Sequence, residues 1–317
     1  MQPAQEKYTP DQVWPTFQTL FGKWWEEYQQ RNPGKHYYVR LYPVLLVIWG
    51  YIFQRLNHDH TCDAFVSRLI SGEQWHELLP AVDKRRSDNT AAYCKARKRL
   101  PYGAAVYALQ HVAEETYLQN GEDGLWHGYR VCLIDGSTIR LQAEKELIAS
   151  YKQPGGQFGQ SHWPRMRIVV AFDLFTGIAV RVEEGSFAVD ERTLARNLIR
   201  QLETPVIFVG DRYYGEYRMV QVVTAFKHHA IFRMRADWVQ KWLRSGVEPR
   251  SDMDICWQPS PAPYREAELP ADPIAGRLLS YRIERPGFRP LDLYLFTTLL
   301  DRERFSYQAI VDKYISR

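Results

Sequence analysis

Val131-Cys132-Leu133-Ile134-Asp135-Gly136-Ser137-Thr138-Ile139-Arg140-Leu141 is the stretch on which the fold turns. Its apolar, β-branched residues read as a buried strand, and one carboxylate, Asp135, stands in the middle. An ionised group loses hydration among apolar neighbours. An Asp is tolerated there when it lies at the strand's exposed end, when it turns the chain, or when it holds a metal. Asp135-Gly136 is also a common turn pair. Two readings are open at this point, a hairpin turn and a functional carboxylate.

The residues that follow alternate strands and helices. Tyr151 to Pro164 contains Pro154-Gly155-Gly156 and Gly159 and reads as an exposed loop. Arg167–Asp173 and Gly177–Val182 are two strands joined by a short turn, an antiparallel hairpin. Asp190 or Thr193 opens a helix running to about Leu202. Pro205–Val209 is wholly apolar, as the centre of a sheet requires, and it ends in Gly210-Asp211-Arg212. Asp211 thus stands at the carboxyl end of a buried strand, where α/β sheets place their sites. The alternative is a cap for the helix expected over Tyr214–His228. Ala230–Arg235 is a further strand. Residues 236–300 carry Trp238, Trp242, Trp257, several prolines and strand-like runs at Arg277–Glu284 and Leu291–Thr297, which reads as a β-rich insertion. Ser306 to Arg317 begins a helix.

Residues 1–120 read as helical throughout. Apolar residues recur at three- and four-residue steps from Asp11 to Trp25, Tyr42–Leu56 is a more buried helix, and Thr61 is the expected N-cap of another reaching Ile70. Lys84, Arg85, Arg86, Lys95, Arg97, Lys98 and Arg99 lie close together against one acid, Asp88. The helix from Thr90 to Leu100, closed by Pro101, can lay Arg97, Lys98 and Arg99 along phosphates. The plainer alternative is a solvated helix face. His58-Asp59-His60 and His228-His229 lack the spacing of metal ligands.

The 317 residues allow about two domains. Hydrophobic residues are 45% and charged residues 25%, an ordinary globular balance. A net charge of +4 is too small to argue for a nucleic-acid partner unless the charges cluster. The four cysteines form no Cys-x-x-Cys pair and read as small buried apolar residues in a reducing compartment. The first seven residues lack the features of a signal peptide, and the longest apolar run, Val44–Ile52, is far short of a membrane span. A cytoplasmic protein is the expectation.

Strand with Asp, hairpin, helix, strand ending in Asp, helix: this order resembles the ribonuclease-H-like core of the DDE transposases, and within them the insertion-sequence-four group. Leu133-Ile134-Asp135-Gly136-Ser137 resembles that group's first catalytic Asp motif. Val209-Gly210-Asp211-Arg212-Tyr213-Tyr214-Gly215 resembles the second. A β-rich insertion stands between the second Asp and the expected third carboxylate. Tyr314-Ile315-Ser316-Arg317 resembles the start of the signature Tyr, two residues, Arg, three residues, Glu. The resemblance implies an α/β fold with a ribonuclease-H-like mixed sheet and flanking helices. Its divisions are a helical DNA-binding domain over 1–120, the first part of the core over 121–235, the insertion over 236–300, and the last helix over 301–317.

The same resemblance implies a transposase that cuts element ends and joins them to target DNA. Asp135 and Asp211 are its expected catalytic carboxylates, holding Mg²⁺, with Mn²⁺ as a substitute. Two such cations stabilise both oxygens of an in-line displacement at phosphorus. Arg212, Tyr314 and Arg317 are the expected contacts to DNA, and Trp238, Trp242 and Trp257 the candidates to stack on a displaced base, with packing in the core the plainer alternative for each. The expected partner is double-stranded DNA, as terminal inverted repeats and target, bound by a homodimer in a synaptic complex at a bacterial nucleoid. The signature's Glu would fall about four positions beyond Arg317, and Glu266, Glu284 and Glu303 lack its context. Residues 1–317 are therefore expected to join strands poorly. A non-catalytic protein that binds element ends, as inhibitor or relic, and a ribonuclease-H-like nuclease without transposition are the alternatives.

Overall fold

The computed structural model describes residues 8–32, 41–72, 88–157, 159–243, 251–261, 264–284 and 286–317. Lys84, Arg85 and Arg86 lie outside the described residues. The chain forms two units, 1–115 and 116–317. Among the described residues no helix is long and apolar enough to cross a membrane.

The first unit is helical. Helix α1 (Pro10–Phe21) starts at Thr9, whose hydroxyl accepts from Gln12 N while the Gln12 side chain answers the Thr9 backbone. This reciprocal cap satisfies donors that the first turn leaves free. Trp14, Phe17 and Phe21 recur along one buried stripe. Helices α2 (Trp24–Arg31), α3 (Val44–Leu56), α4 (Cys62–Ser71) and α5 (Ala91–Lys98) follow. Thr61 caps α4 as expected, accepting from Ala64 N at 3.1 Å. Helix α6 (Tyr102–Asn120) runs across the boundary between the units. The core is largely aromatic, with Trp24, Trp49, Phe65 and Tyr93 fully buried. At Gly50 on α3 a Cβ would lie 2.2 Å from the Tyr93 hydroxyl, which donates to Gln54 Oε1 at 3.2 Å.

Among its described residues the second unit holds a mixed sheet of eight strands with helices on both faces, and a small two-stranded sheet. The elements are β1 (Arg130–Arg140), α7 (Lys145–Tyr151), β2 (Gly155–Gly156), β3 (Gly159–Gln160), β4 (Arg165–Asp173), β5 (Ala179–Ser186), α8 (Glu191–Arg200), β6 (Val206–Gly210), α9 (Tyr217–Ala225), β7 (His229–Arg233), α10 (Ala236–Leu243), β8 (Asp252–Trp257), β9 (Ile274–Ile283), β10 (Leu291–Thr297) and α11 (Tyr307–Ile315). The sheet order is β5-β4-β1-β6-β7-β10-β9-β8, and β2 and β3 pair with each other. Within it β1, β6 and β7 are mutually parallel neighbours, and the remaining pairs are antiparallel. This is the mixed α/β class expected from the sequence. The loop expected over 151–164 holds the β2–β3 hairpin.

Alternation along the strands builds two cores. Cys132, Ile134, Phe208, Ala230, Phe232 and Phe296 face α8 and α9. Val131, Ile207, Val209, Ile231, Leu293 and Leu295 face α11. Strand β6 is buried on both sides, which is why its sequence is continuously apolar rather than alternating. The strands of 236–300, read from sequence as an insertion, extend this same sheet through the β7–β10 pair. The cysteines depart from the expectation of uniform burial. Cys132 is buried, Cys62 and Cys94 are half-buried, and Cys256 is exposed because it lies on the edge strand β8. Burial pushes the Cys132 thiol up to about 12.

One ion pair ties β8 and β9 to α11's approach. Arg277 is fully buried. It donates to both Asp252 oxygens, and its Nη1 donates to Leu299 O at 3.0 Å and Phe305 O at 2.7 Å. Burial alone would raise the Asp252 carboxyl, but the bonds and charge of Arg277, with Arg302, hold it below its ordinary value. Breaking a buried pair strands the remaining charge. Arg277→Ala is expected to cost about 3 kcal/mol in urea unfolding of the second unit at neutral pH. Because the Asp252 carboxyl is depressed in the folded state, the pair's contribution is complete above the ordinary carboxylate value of 3.8 and is lost as pH falls through the lower folded value. The difference between wild type and variant should therefore narrow in acid. In the first unit, Gly50→Ala tests the Tyr93 contact. Helix propensity favours Ala by about 1 kcal/mol, yet overpacking costs about 1–3 kcal/mol, so thermal unfolding should show a net loss.

Candidate active site

Strand register brings the two aspartates together. β1 and β6 run parallel, and their last paired residues are Ile134 and Gly210. Asp135 and Asp211 are the next residues of each, side by side at the carboxyl edge of the sheet. β1 does not turn at Asp135-Gly136. It continues to Arg140, with Asp135 opposite Val170 and Gly136 opposite Val169 on β4. The turn reading fails because β4 pairs along the whole strand, whereas β6 stops one residue short of Asp135. Asp135 is exposed there and keeps its hydration.

The cap reading of Asp211 fails as well. Helix α9 begins at Tyr217 behind Glu216, whose side chain makes no cap bond. Asp211 Oδ1 accepts instead from Tyr213 N at 2.7 Å, closing a local turn. Asp135 Oδ1 accepts from Gly136 N at 2.9 Å. Each aspartate thus has one oxygen engaged with the backbone. The turn after Asp211 packs directly on β7: a Cβ at Gly215 would lie 2.3 Å from Arg233 O.

Both aspartates line a cavity of about 900 Å³ together with Glu191, Arg212 and Arg233. Glu191 was read from sequence only as part of a helix start. An acidic residue in a first turn ordinarily answers the helix dipole, so nothing in the sequence separates it from such a residue. The acids around it are neutralised. Asp190 caps α8 and pairs with Arg192, Glu216 pairs with Arg192 and Arg196, Asp237 with Arg235 and Asp292 with Arg282. Asp135, Asp211 and Glu191 have no ion-pair partner among the described residues. Burial would raise Asp190, but the Tyr213 hydroxyl and Arg192 outweigh it and hold the carboxyl below its ordinary value.

The other expected contacts divide. Arg212 is exposed, lines the cavity and makes no ion pair among the described residues. Tyr314 is buried in the α11 core, and the Arg317 guanidinium lies 4.3 Å from its ring centroid. Burial first raises the Tyr314 phenol, Arg317 and Arg233 oppose it, and Asp211 adds to the rise. In the first unit Lys98 and Arg99 are exposed, whereas Arg97 turns inward, donating to Cys62 Sγ at 2.8 Å and lying 4.6 Å from the Tyr51 ring. Trp257 is buried and packs edge-on against Trp242 at 4.7 Å and Phe296 at 4.9 Å. It has no free face for a base. Trp238 and Trp242 are half-buried against the same core.

The donor chemistry suits a hard divalent cation. Mg²⁺ takes oxygen ligands, keeps several waters and is usually held by one or two carboxylates with substrate phosphates completing the shell. Asp135 and Asp211 supply such carboxylates without a competing guanidinium. Among the described residues no three or more His, Cys, Asp and Glu are already gathered into a metal cage. His228 serves the fold, bonding Val206 N and Ile199 O, and burial lowers its pKa.

No curated protein matches the sequence. A cryo-EM structure of a piggyBac transposase synaptic complex with hairpin DNA aligns with 100% of this chain and 68% of its own, at 10% identity and a TM-score of 0.38. Residues 126–314 match the family described as transposase DDE domain, a span that holds both aspartates, Glu191 and most of α11. With more than half of its residues inside that match, the chain belongs to the transposase DDE domain family.

Proposed function

We propose that this transposase cuts DNA at the ends of a mobile element and joins those ends to target DNA, with Asp135 and Asp211 holding Mg²⁺. The observation that carries this is the placement of two carboxylates, without ion-pair partners among the described residues, one residue past the last pair of the parallel strands β1 and β6. When bound, the cations activate the attacking oxygen and stabilise the leaving one. Asp135, on β1, and Asp211, after β6, would hold the cations. Arg212 and Arg233 face the same cavity and neutralise phosphate oxygens of the DNA, while Arg317, stacked on Tyr314, holds a neighbouring phosphate. On the first unit, Lys98 and Arg99 are the phosphate contacts of that unit's own surface. The motifs at Val209–Gly215 and Tyr314–Arg317 favour the insertion-sequence-four group. In that reading the protein works as a homodimer that pairs two element ends, at the nucleoid of a bacterial cytoplasm.

The test uses duplexes carrying the terminal repeats that flank the gene, incubated with the product of the full reading frame and Mg²⁺ or Mn²⁺. Nicks that expose 3′-hydroxyls at the repeat ends are expected. Asp135→Asn or Asp211→Asn should reduce nicking by more than about a hundredfold, beyond the usual cost of losing an outer-shell partner, while gel-shift binding persists. Binding without cation-dependent nicking would favour the end-binding protein instead. Nicking that survives both substitutions would overturn the assignment.

A further inference from the structure

We propose that Cys62 and Cys94 form a peroxide-sensitive thiol pair in the first unit, in which Cys62 attacks the oxidant, Cys94 resolves the product as a disulfide, and Arg97 activates the attacking sulfur.

Helices α3, α4 and α5 bring these groups together. Cys62 is the first residue of α4, directly behind the Thr61 cap. Cys94 and Arg97 stand three positions apart on α5 and therefore share a helix face. That face meets Cys62. Arg97 Nη1 donates to Cys62 Sγ at 2.8 Å, and the two thiols are hydrogen-bonded to each other. From α3, Gln54 Nε2 reaches the same sulfur at 3.8 Å. Gln54 is itself held: its Nε2 also donates to His60 O at 2.7 Å, and its Oε1 accepts from the buried Tyr93 hydroxyl.

These surroundings differ from those of a structural cysteine, which is inert among apolar atoms. Cys132 is of that kind, fully buried in the sheet core. Cys62 meets a guanidinium, a side-chain amide and a helix N-terminus, the groups that favour negative charge on sulfur. Both thiols are half-buried, which leaves a path for an oxidant as small as hydrogen peroxide. Burial first, and then the charge of Cys62, push the Cys94 thiol up. Cys94 therefore keeps its proton while Cys62 attacks.

The chemistry closes without a cofactor. The Cys62 thiolate attacks one peroxide oxygen, the O–O bond breaks, and the departing hydroxide takes the proton that Cys62 gave up, leaving as water and Cys62 as a sulfenic acid. Cys94 Sγ then attacks Cys62 Sγ. The S–O bond breaks, and its hydroxide leaves with the Cys94 proton as a second water. The two thiols lose two electrons, and one peroxide becomes two waters. The disulfide fastens α4 to α5, the helix that ends beside the exposed Lys98 and Arg99. A cellular dithiol reverses it by exchange.

The full chain, reduced and freed of reductant, is treated with hydrogen peroxide and mapped by mass spectrometry after digestion without reductant. A peptide pair joined through Cys62 and Cys94 is expected, and dithiothreitol should separate it. Cys94→Ser should halt the sequence at a Cys62 sulfenic acid that dimedone captures, faster than at the exposed Cys256. Arg97→Met should slow formation of the joined peptide by about tenfold, and Arg97→Lys, which keeps a charge, by less. Separate oxidation of Cys62 and Cys94 in wild type without a joined peptide, or capture at Cys62 no faster than at Cys256, overturns the pair. The wild-type map decides the first point even if a variant fails to fold. A wild-type rate in Arg97→Met overturns the role of Arg97 and leaves the pair.

Discussion

The parallel pairing of β1 with β6 is the constraint on which the rest depends. It ends at Ile134 and Gly210, and that ending converts two residues 76 positions apart in the chain into neighbours. Ionised groups beside such an apolar pair would ordinarily cost several kcal/mol. They are tolerated because β6 stops and solvent begins. Everything under the edge is apolar and buried on two faces, so the aspartates are set by a rigid sheet rather than by a flexible loop. Tyr314 and Arg317 come from α11, which packs on one face of that sheet, and Glu191 from α8, on the other.

Much of this was legible in the sequence because strands write their burial into their composition. Pro205–Val209 reads as a central strand and is one. The hairpin after Asp135, the helix after Asp190 and the Thr61 cap were equally plain. The aspartates were less so. Asp135-Gly136 carries the same letters whether it turns a hairpin or ends a paired edge, and only the length of the neighbouring strand decides. Glu191 was invisible for a related reason. Its carboxyl sits where a side chain at Gly136 would go, 55 residues away in sequence, and no local pattern reports what stands opposite a glycine. The tryptophans had two readings, and letters alone do not choose between rings that stack on a base and rings that fill a core. Trp257 packs in the core beside Phe296, on strands that join the main sheet.

Charge is distributed by the same economy. Arg192, Arg196, Arg200 and Arg218 interlace with Asp190, Glu216 and Glu266 across α8, α9 and residue 266, and Arg277 locks β8 and β9 to the segment before α11. These networks engage acids that surround the site, whereas Asp135, Asp211 and Glu191 have no ion pair among the described residues. Arg97 illustrates the complementary point, since a basic residue in a basic cluster can still serve its own fold.

The β7–β10 pair has a consequence for how the chain comes to be folded. β7 ends at Arg233, and β10, its partner on that side, begins only at Leu291. While the intervening residues emerge from the ribosome, the strongly apolar β7 presents an unpaired edge next to β6. Such an edge is a template for pairing with another chain, and long-range pairing is slow to form. Any shortened product that stops between these strands would carry the aspartate edge on an unfinished sheet. It would be directed towards aggregation and proteolysis rather than towards a soluble competitor for DNA. The strands beyond β7 thus cover an edge that would otherwise stay unpaired.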